Sequence, residues 1–226
     1  AWKDLQANYF SIGKSAPEPA AKTGDVTALI PLLSDLLEAK DRQLLNHCSR
    51  VSFYASLLAN QLNLSLPDQK ALALGAFLHD IGKIGIPRAI LSKPGPLSPS
   101  EWALMRRHCE IGEWILRGRS PQFDRLLSLS PQVAGLSSVD EPVLKAAAQI
   151  ALCHHEKWDG SGYPLRLRGR KIPWEARIVA VADAFDAMTA DRPYRERMEL
   201  AEAFDELRAN SGTQFDPGVV KAFFTA

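Results

Sequence analysis

Apolar residues along this chain recur at helical intervals, and few segments alternate with the period of two that a strand requires. The register becomes helical from Val26. His47, Val51, Tyr54, Ala55, Leu58 and Leu62 then share one face of a predicted helix. Leu66-Pro67-Asp68 punctuates the pattern, a helix follows from Ala71 to His79, and Gly82 is read as its stop. A Pro-bearing loop covers Ile86 to Gly95. Ser98-Pro99-Ser100-Glu101 has the N-cap, first-position Pro and third-position Glu of a capping box. The helix it opens carries Met105, His108, Ile111, Gly112 and Ile115 on one stripe. Arg117 to Pro142 is polar and rich in Ser and Pro, and it breaks the helical register. Further helices are expected over 143–155, 175–190 and 200–209, with a Gly-rich basic loop from Lys157 to Trp174. Ahead of these, residues 1–10 suit one short helix and Ser11 to Asp25 reads as a linker. The expectation is an all-α domain over 26–226 behind an N-terminal segment, 1–25.

Composition narrows the options. A chain of 226 residues can bury a real core. Its net charge of +1 provides no global field for a nucleic acid polymer. No apolar run approaches the roughly 18 residues of a membrane span, and no signal peptide is visible. The first residue is Ala1, so a signal or an upstream domain could precede it. The three cysteines each adjoin a histidine: His47-Cys48, His108-Cys109 and Cys153-His154. Successive residues on a helix point about 100° apart, so these thiols are expected to face away from whatever the imidazoles do. Nothing in their spacing suggests disulfides, and a reducing cytoplasm fits.

The five histidines carry the chemistry. Four of them sit beside Asp, Arg or another His, and clusters of imidazole with carboxylate mark metal sites. Two runs are specific: His79-Asp80-Ile81-Gly82-Lys83-Ile84-Gly85-Ile86-Pro87, and His154-His155-Glu156-Lys157-Trp158-Asp159-Gly160-Ser161-Gly162-Tyr163-Pro164. Around them, in order, stand His47 with Arg50-Val51, Met105 with His108, Val181-Ala182-Asp183-Ala184-Phe185-Asp186, Arg192-Pro193-Tyr194-Arg195 and Phe215-Asp216-Pro217. Together they resemble the HD-GYP family of the HD superfamily of metal-dependent phosphohydrolases, over about residues 35–222.

The resemblance implies an HD-type helical bundle with a Gly-Tyr-Pro loop. It implies the metal ligands His47, His79, Asp80, His108, His154, His155 and Asp183. Seven donors from five helical segments are too many for one ion and suit two if Asp80 bridges them. A donor set of imidazole and carboxylate without thiolate favours iron or manganese, with nickel, cobalt and zinc open. Two such ions can hold a bridging hydroxide for in-line attack on phosphorus. Asp80 and Lys83 are then the catalytic candidates, with Lys83 also placed to reach the phosphate. A solvated surface lysine is the alternative.

Arg192 and Arg195 match positions that bind substrate phosphates, against an ordinary salt-bridging pair. Tyr163 would stack on a guanine or wedge the loop onto the core. The implied activity is hydrolysis of cyclic di-GMP to linear pGpG and onward to GMP. A low-turnover nucleotide receptor and an HD hydrolase preferring pGpG remain open. Implied partners are an upstream receiver or sensory domain, as in bacterial two-component response proteins, and a diguanylate cyclase domain met through the Gly-Tyr-Pro loop.

Two positions depart from the pattern. Gln43 stands where some members have a Glu that helps hold a third metal. Arg166, beside Arg168 and Arg170, stands where a Gly usually follows Gly-Tyr-Pro, and the long 117–142 stretch reads as an insertion.

Overall fold

The computed structural model describes residues 29–117, 141–190 and 197–225. The expected linker, most of the 117–142 insertion, and both Arg192 and Arg195 lie outside the described residues. Ten helices order these residues: α1 Leu29–Lys40, α2 Arg42–Gln61, α3 Leu66–Leu78, α4 Arg88–Leu91, α5 Pro99–Arg106, α6 His108–Leu116, α7 Glu141–Cys153, α8 Trp174–Thr189, α9 Leu200–Ala209 and α10 Pro217–Phe223. Short 3-10 helices cover Ile81–Gly85 and Gly169–Lys171. No strand occurs among the described residues, only an isolated bridge between Ser211 and Phe215. The all-α expectation therefore holds.

The predicted face of α2 is the heart of the fold. Val51, Tyr54, Ala55 and Leu58 are buried in one cluster with Leu72 of α3, Ile178 and Phe185 of α8, Leu207 of α9 and Val219 of α10. Each fully buried aliphatic or aromatic side chain contributes roughly 1.5–3 kcal/mol. A second cluster joins Leu37, Leu44, Cys48, Leu78, Ile81, Leu116 and Ala147. Helix α3 packs on both α2 and α7, and α7 also packs on α6 and α8. The Lys40 ammonium donates to the carbonyls of Ile84 (3.0 Å) and Ile86 (2.6 Å), fastening α1 to the turn after Asp80.

Local chemistry moved several boundaries. Leu66-Pro67-Asp68 is not a break but the first turn of α3: Ser65 is its N-cap and accepts from the Asp68 amide. A proline in the first turn costs little, because its missing N–H has no partner there anyway. The single helix expected from Ser98 splits at Arg107. The capping box forms, but the Arg107 amide bonds the Leu104 carbonyl and the Met105 carbonyl is taken by the His108 ring. Within the expected 86–95 loop, Arg88–Leu91 makes one helical turn. Helix α10 was not anticipated, although Asp216-Pro217 is a start signal and the Asp216 carboxylate accepts from the Gly218 amide at 2.7 Å.

Gly82 is not a helix stop either. Helix α3 ends at Leu78, and Gly82 lies in the following 3-10 turn with its Cα against the backbone of His108 and Gly112. No left-handed backbone is involved. The residue must be Gly because another main chain occupies the space of a Cβ.

Candidate metal centre

Five segments deliver imidazole and carboxylate groups to one buried point: α2, the α3 end with its 3-10 turn, α6, the α7 end and α8. His79, Asp80, His108 and His154 are each at most 2% exposed. A backbone device aims three of the rings. The Nδ1 of His79 lies 2.6 Å from the Ala76 carbonyl, that of His108 2.7 Å from Met105, and that of His154 3.0 Å from Ala151. A carbonyl only accepts, so each Nδ1 carries the proton and each Nε2 presents its lone pair to the interior. His47 is aimed differently, with Nδ1 2.7 Å from the Asp186 carboxylate.

Asp80 stands at the centre, and its two oxygens face different partners. Oδ2 is 3.6 Å from His47 Nε2 and 3.5 Å from His79 Nε2. Oδ1 is 3.3 Å from His108 Nε2 and 3.8 Å from His154 Nε2. Asp183 Oδ1 completes the first group, 3.2 Å from His47 Nε2 and 4.0 Å from His79 Nε2. His155 belongs to the second, its ring centroid 4.1 Å from that of His154 and 5.1 Å from that of His108. All seven expected ligand positions thus converge.

The donors fit a cation. His79 Nε2 and Asp80 Oδ1 are buried with no hydrogen-bond partner, and the Nε2 lone pairs of His108 and His154 face each other at 3.4 Å. Buried acceptors turned toward one another without a donor are costly unless a positive charge sits between them.

The protonation states of four of the five rings agree. Burial pushes His79, His108 and His154 below the usual imidazole range and brings His155 to about 4, so these rings stay neutral. Burial also acts on His47, but hydrogen bonds to Asp183 and Asp186 prevail and raise it to about 9. Burial opposes ionisation of Asp80 and Asp183, yet Lys83 with the imidazoles around Asp80, and His47 at Asp183, hold both carboxyls low.

These shifts have a stability consequence. In an unfolded chain histidines protonate near 6.5, whereas the lowered rings stay neutral in the fold. Their contribution is present above that value and is lost as pH falls toward 4. His47, raised to about 9 in the fold, opposes this slope only near pH 6.5 and is protonated in both states lower in the window. The urea midpoint of the metal-free protein is expected to drop steadily from pH 6.5 to 4, and a flat midpoint would contradict the neutral-ring assignment.

Lys83 does not sit free on the surface. Its ammonium pairs with Asp80 Oδ2 and its side chain is 21% exposed. Gln43 is exposed one turn before His47. Tyr163 is half-buried, its ring centroid 4.9 Å from that of His155, with the Arg106 guanidinium 5.0 Å from its own centroid. It lies between two open clefts. One, about 420 Å³, is lined by Arg106, Arg107, Tyr163 and Arg166. The other, about 300 Å³, is lined by His155, Tyr163 and Asp183.

Gly160 and Gly162 both line the first of these clefts, and Gly162 also approaches the chain's own backbone. A Cβ on Gly162 would overlap main-chain atoms of Glu156 and Lys157. Arg166 takes a left-handed φ of +54°, the conformation that favours glycine at this place.

The expectation for the cysteines fails at one position. Cys48 is in the apolar core and Cys153 packs with Ile172 and Ala176, but Cys109 Sγ is 3.5 Å from His108 Nε2. At the start of α6 the His108 ring folds back toward the Met105 carbonyl of α5, which leaves its Nε2 beside the neighbouring thiol. Burial holds that thiol protonated by pushing its pKa up.

Three supporting residues were not assigned roles from the sequence. Asp186 accepts from Arg50 Nε at 2.5 Å as well as facing His47, and burial of its carboxyl is outweighed by those two partners. The signal was present: Asp186 follows Asp183 by three, and Arg50 follows His47 by three, so each pair shares a helical face. Buried Glu156 accepts from the amides of Leu165 (2.6 Å) and Leu167 (2.8 Å) and pins the Gly-Tyr-Pro loop. Asp186→Asn is expected to weaken metal binding 10–100-fold, roughly the usual cost of losing a partner that orients a ligand. Calorimetric metal titration checks this, and unchanged affinity would reduce Asp186 to a packing role.

The HD domain family matches residues 31–219. A cyclic di-GMP phosphodiesterase of Thermotoga maritima is 40% identical over 222 residues, 98% of this chain and 55% of that protein. A 3'3'-cGAMP-specific phosphodiesterase 2 of Vibrio cholerae is 37% identical over 193 residues, 85% of this chain and 33% of that one. Bd1817, an HDG"Y"P protein from Bdellovibrio bacteriovorus, superposes with a TM-score of 0.55 at 23% identity, covering 79% of this chain and 50% of that chain, a likeness of fold. This chain spans between a third and about half of the two curated relatives. No described helix is long and apolar enough to cross a membrane.

Proposed function

The chain belongs to the HD-domain family, and from that membership and the donor set at its centre we propose a metal-dependent phosphodiesterase that opens cyclic di-GMP to pGpG and continues to GMP. The observation that carries the proposal is the placement of Asp80, one oxygen toward His47 and His79 and the other toward His108 and His154. That geometry supports two ions sharing one carboxylate. His47, His79 and Asp183 would hold one ion and His108, His154 and His155 the other, with iron or manganese preferred by the donors. When bound, such ions supply Lewis acidity toward phosphate oxygens and acidify the attacking water.

The chain's own groups do the rest. The carbonyl-fixed imidazoles keep their lone pairs inward at neutral pH. Lys83, now paired with Asp80, is the cation available to a phosphate oxygen. Arg192 and Arg195 are assigned to the phosphates as bidentate partners. Tyr163, already in contact with His155 and Arg106, separates two clefts, which suits a substrate with two bases. The relatives' names are those of cyclic dinucleotide phosphodiesterases, one for cyclic di-GMP and one for 3'3'-cGAMP, and their greater length leaves room for the sensory or receiver domain of this reading. A cyclase contact through the Gly-Tyr-Pro loop and a cytoplasmic location belong to the same reading.

The test pairs elemental analysis with turnover on one sample. Two equivalents of metal and release of pGpG from cyclic di-GMP are expected, with pGpG itself as the comparison substrate. Turnover by metal-free protein, or fully loaded protein inert toward both nucleotides, would overturn the proposal.

A further inference from the structure

The cleft beside His155 and Asp183 has a chemical asymmetry that the metal centre does not explain. One side is a strip of small side chains, Ala180, Ala184 and Ala187, spaced along one face of α8. Asp183 lies on the same helix, so the strip leads directly away from the reacting centre. Facing it are Glu206 on α9, Asn210 at the end of that helix, and Gln214. The Asn210 amide donates to one Glu206 oxygen, Oε1, at 2.9 Å. Among the described residues the other Glu206 oxygen and the Gln214 side-chain amide make no hydrogen bond. The Gln214 backbone is fixed, because its carbonyl accepts from the Trp158 amide at 3.0 Å and ties this wall to the Gly-Tyr-Pro loop.

A flat apolar strip opposite a carboxylate and two amides is a slot for a planar heterocycle read along its edge. Guanine offers two adjacent donors, N1–H and the 2-amino group, with an acceptor, O6, beside them. A carboxylate accepts both donors at once, and an amide N–H can meet O6. Adenine puts a bare N1 lone pair where guanine has a donor, against the carboxylate charge. We propose that Glu206, supported by Asn210 and Gln214, forms the guanine-reading wall of a base subsite. This sets the nucleotide preference of the chain, and it rests on the phosphodiesterase reading above.

Equilibrium binding to metal-loaded protein tests the subsite, with cyclic di-GMP, 3'3'-cGAMP, cyclic di-AMP and cyclic di-IMP as probes. Cyclic di-IMP lacks the 2-amino group. The parent should bind cyclic di-GMP about tenfold to a hundredfold more tightly than cyclic di-IMP, the range for a hydrogen bond to a charged acceptor, and more tightly still than cyclic di-AMP. Glu206→Gln should bind cyclic di-GMP and cyclic di-IMP alike, because its amide cannot accept from both donors. Glu202→Gln, one turn earlier on α9 and exposed, should keep the parent's preference.

Glu206 is exposed, so the variant should fold. A merely structural Glu206 would lower all affinities together and leave the guanine-to-inosine ratio unchanged, which overturns the subsite. Equal parent affinity for guanine and adenine probes overturns it too. Turnover on the same samples separates the two readings. Parent protein that discriminates but does not hydrolyse upholds the subsite and removes the enzyme, and parent protein that binds none of the probes removes both.

Discussion

Asp80→Ala should lose metal and hydrolysis together, with turnover down roughly a thousandfold. That size follows from the several kcal/mol of charge stabilisation expected of bound ions, at about 1.4 kcal/mol per tenfold. Asp80 is 1% exposed and is the anion that both histidine groups share. Without it, one group keeps His47, His79 and the Asp183 carboxylate, the other keeps three neutral imidazoles, and the Lys83 ammonium loses its partner in a largely buried place. Asp80→Asn keeps the shape while removing the charge, so it separates packing from ligation. It should fold like the parent and still load less than one equivalent of metal. Elemental analysis and turnover decide the matter: an active, fully loaded Asp80→Ala protein would show that the two groups do not depend on a shared carboxylate.

Gly82→Ala should be the most damaging single methyl group in the described core. A Cβ there would overlap the His108 carbonyl oxygen and crowd the Gly112 amide. Both are backbone atoms, so no rotamer change relieves the clash. Helix α6 would have to move outward, and its first residue is the proposed ligand His108. Overpacking of a dense core costs about 1–3 kcal/mol and occasionally more, and backbone contact puts this site near 3 kcal/mol. For a domain of this size the melting temperature should fall by roughly 6–12 °C. Metal affinity should fall as well, because the His108 Nε2 is carried with the helix. Thermal unfolding and metal titration of the same variant check both effects. A stable variant with weakened metal binding would mean that the helix shifts at little cost, and parent-like values in both would refute the contact.

Gly82 and Cys109 show how far the residue order could be read. At Gly82 the sequence carried the right residue with the wrong reason, since a glycine after a helix resembles a stop and only the packing of α6 reveals the close approach. At Cys109 the rule that neighbours on a helix diverge failed, because it describes Cα–Cβ directions while the His108 ring turns back toward the preceding helix α5 to reach the Met105 carbonyl. The break at Arg107, which lets His108 begin a new helix, depends on that same side-chain-to-backbone bond. The boundaries of α3 and α10 were decided by caps, Ser65 and Asp216, and those signals were already present in the residues.

By itself the sequence determined the helical class and the apolar face of α2, and through its His and Asp motifs it singled out the seven side chains that the fold brings together, because periodicity, caps and motifs are local or short-range information. Tertiary structure alone decided which donors share Asp80, that Asp186 and Arg50 hold His47, that Glu156 pins the Gly-Tyr-Pro loop, and that Glu206 faces the alanine strip of α8. These are contacts between segments separated by tens of residues or more. They exist only when packing of the apolar faces sets the angles between helices, and helical periodicity tells which face a residue occupies but not which distant face it will meet.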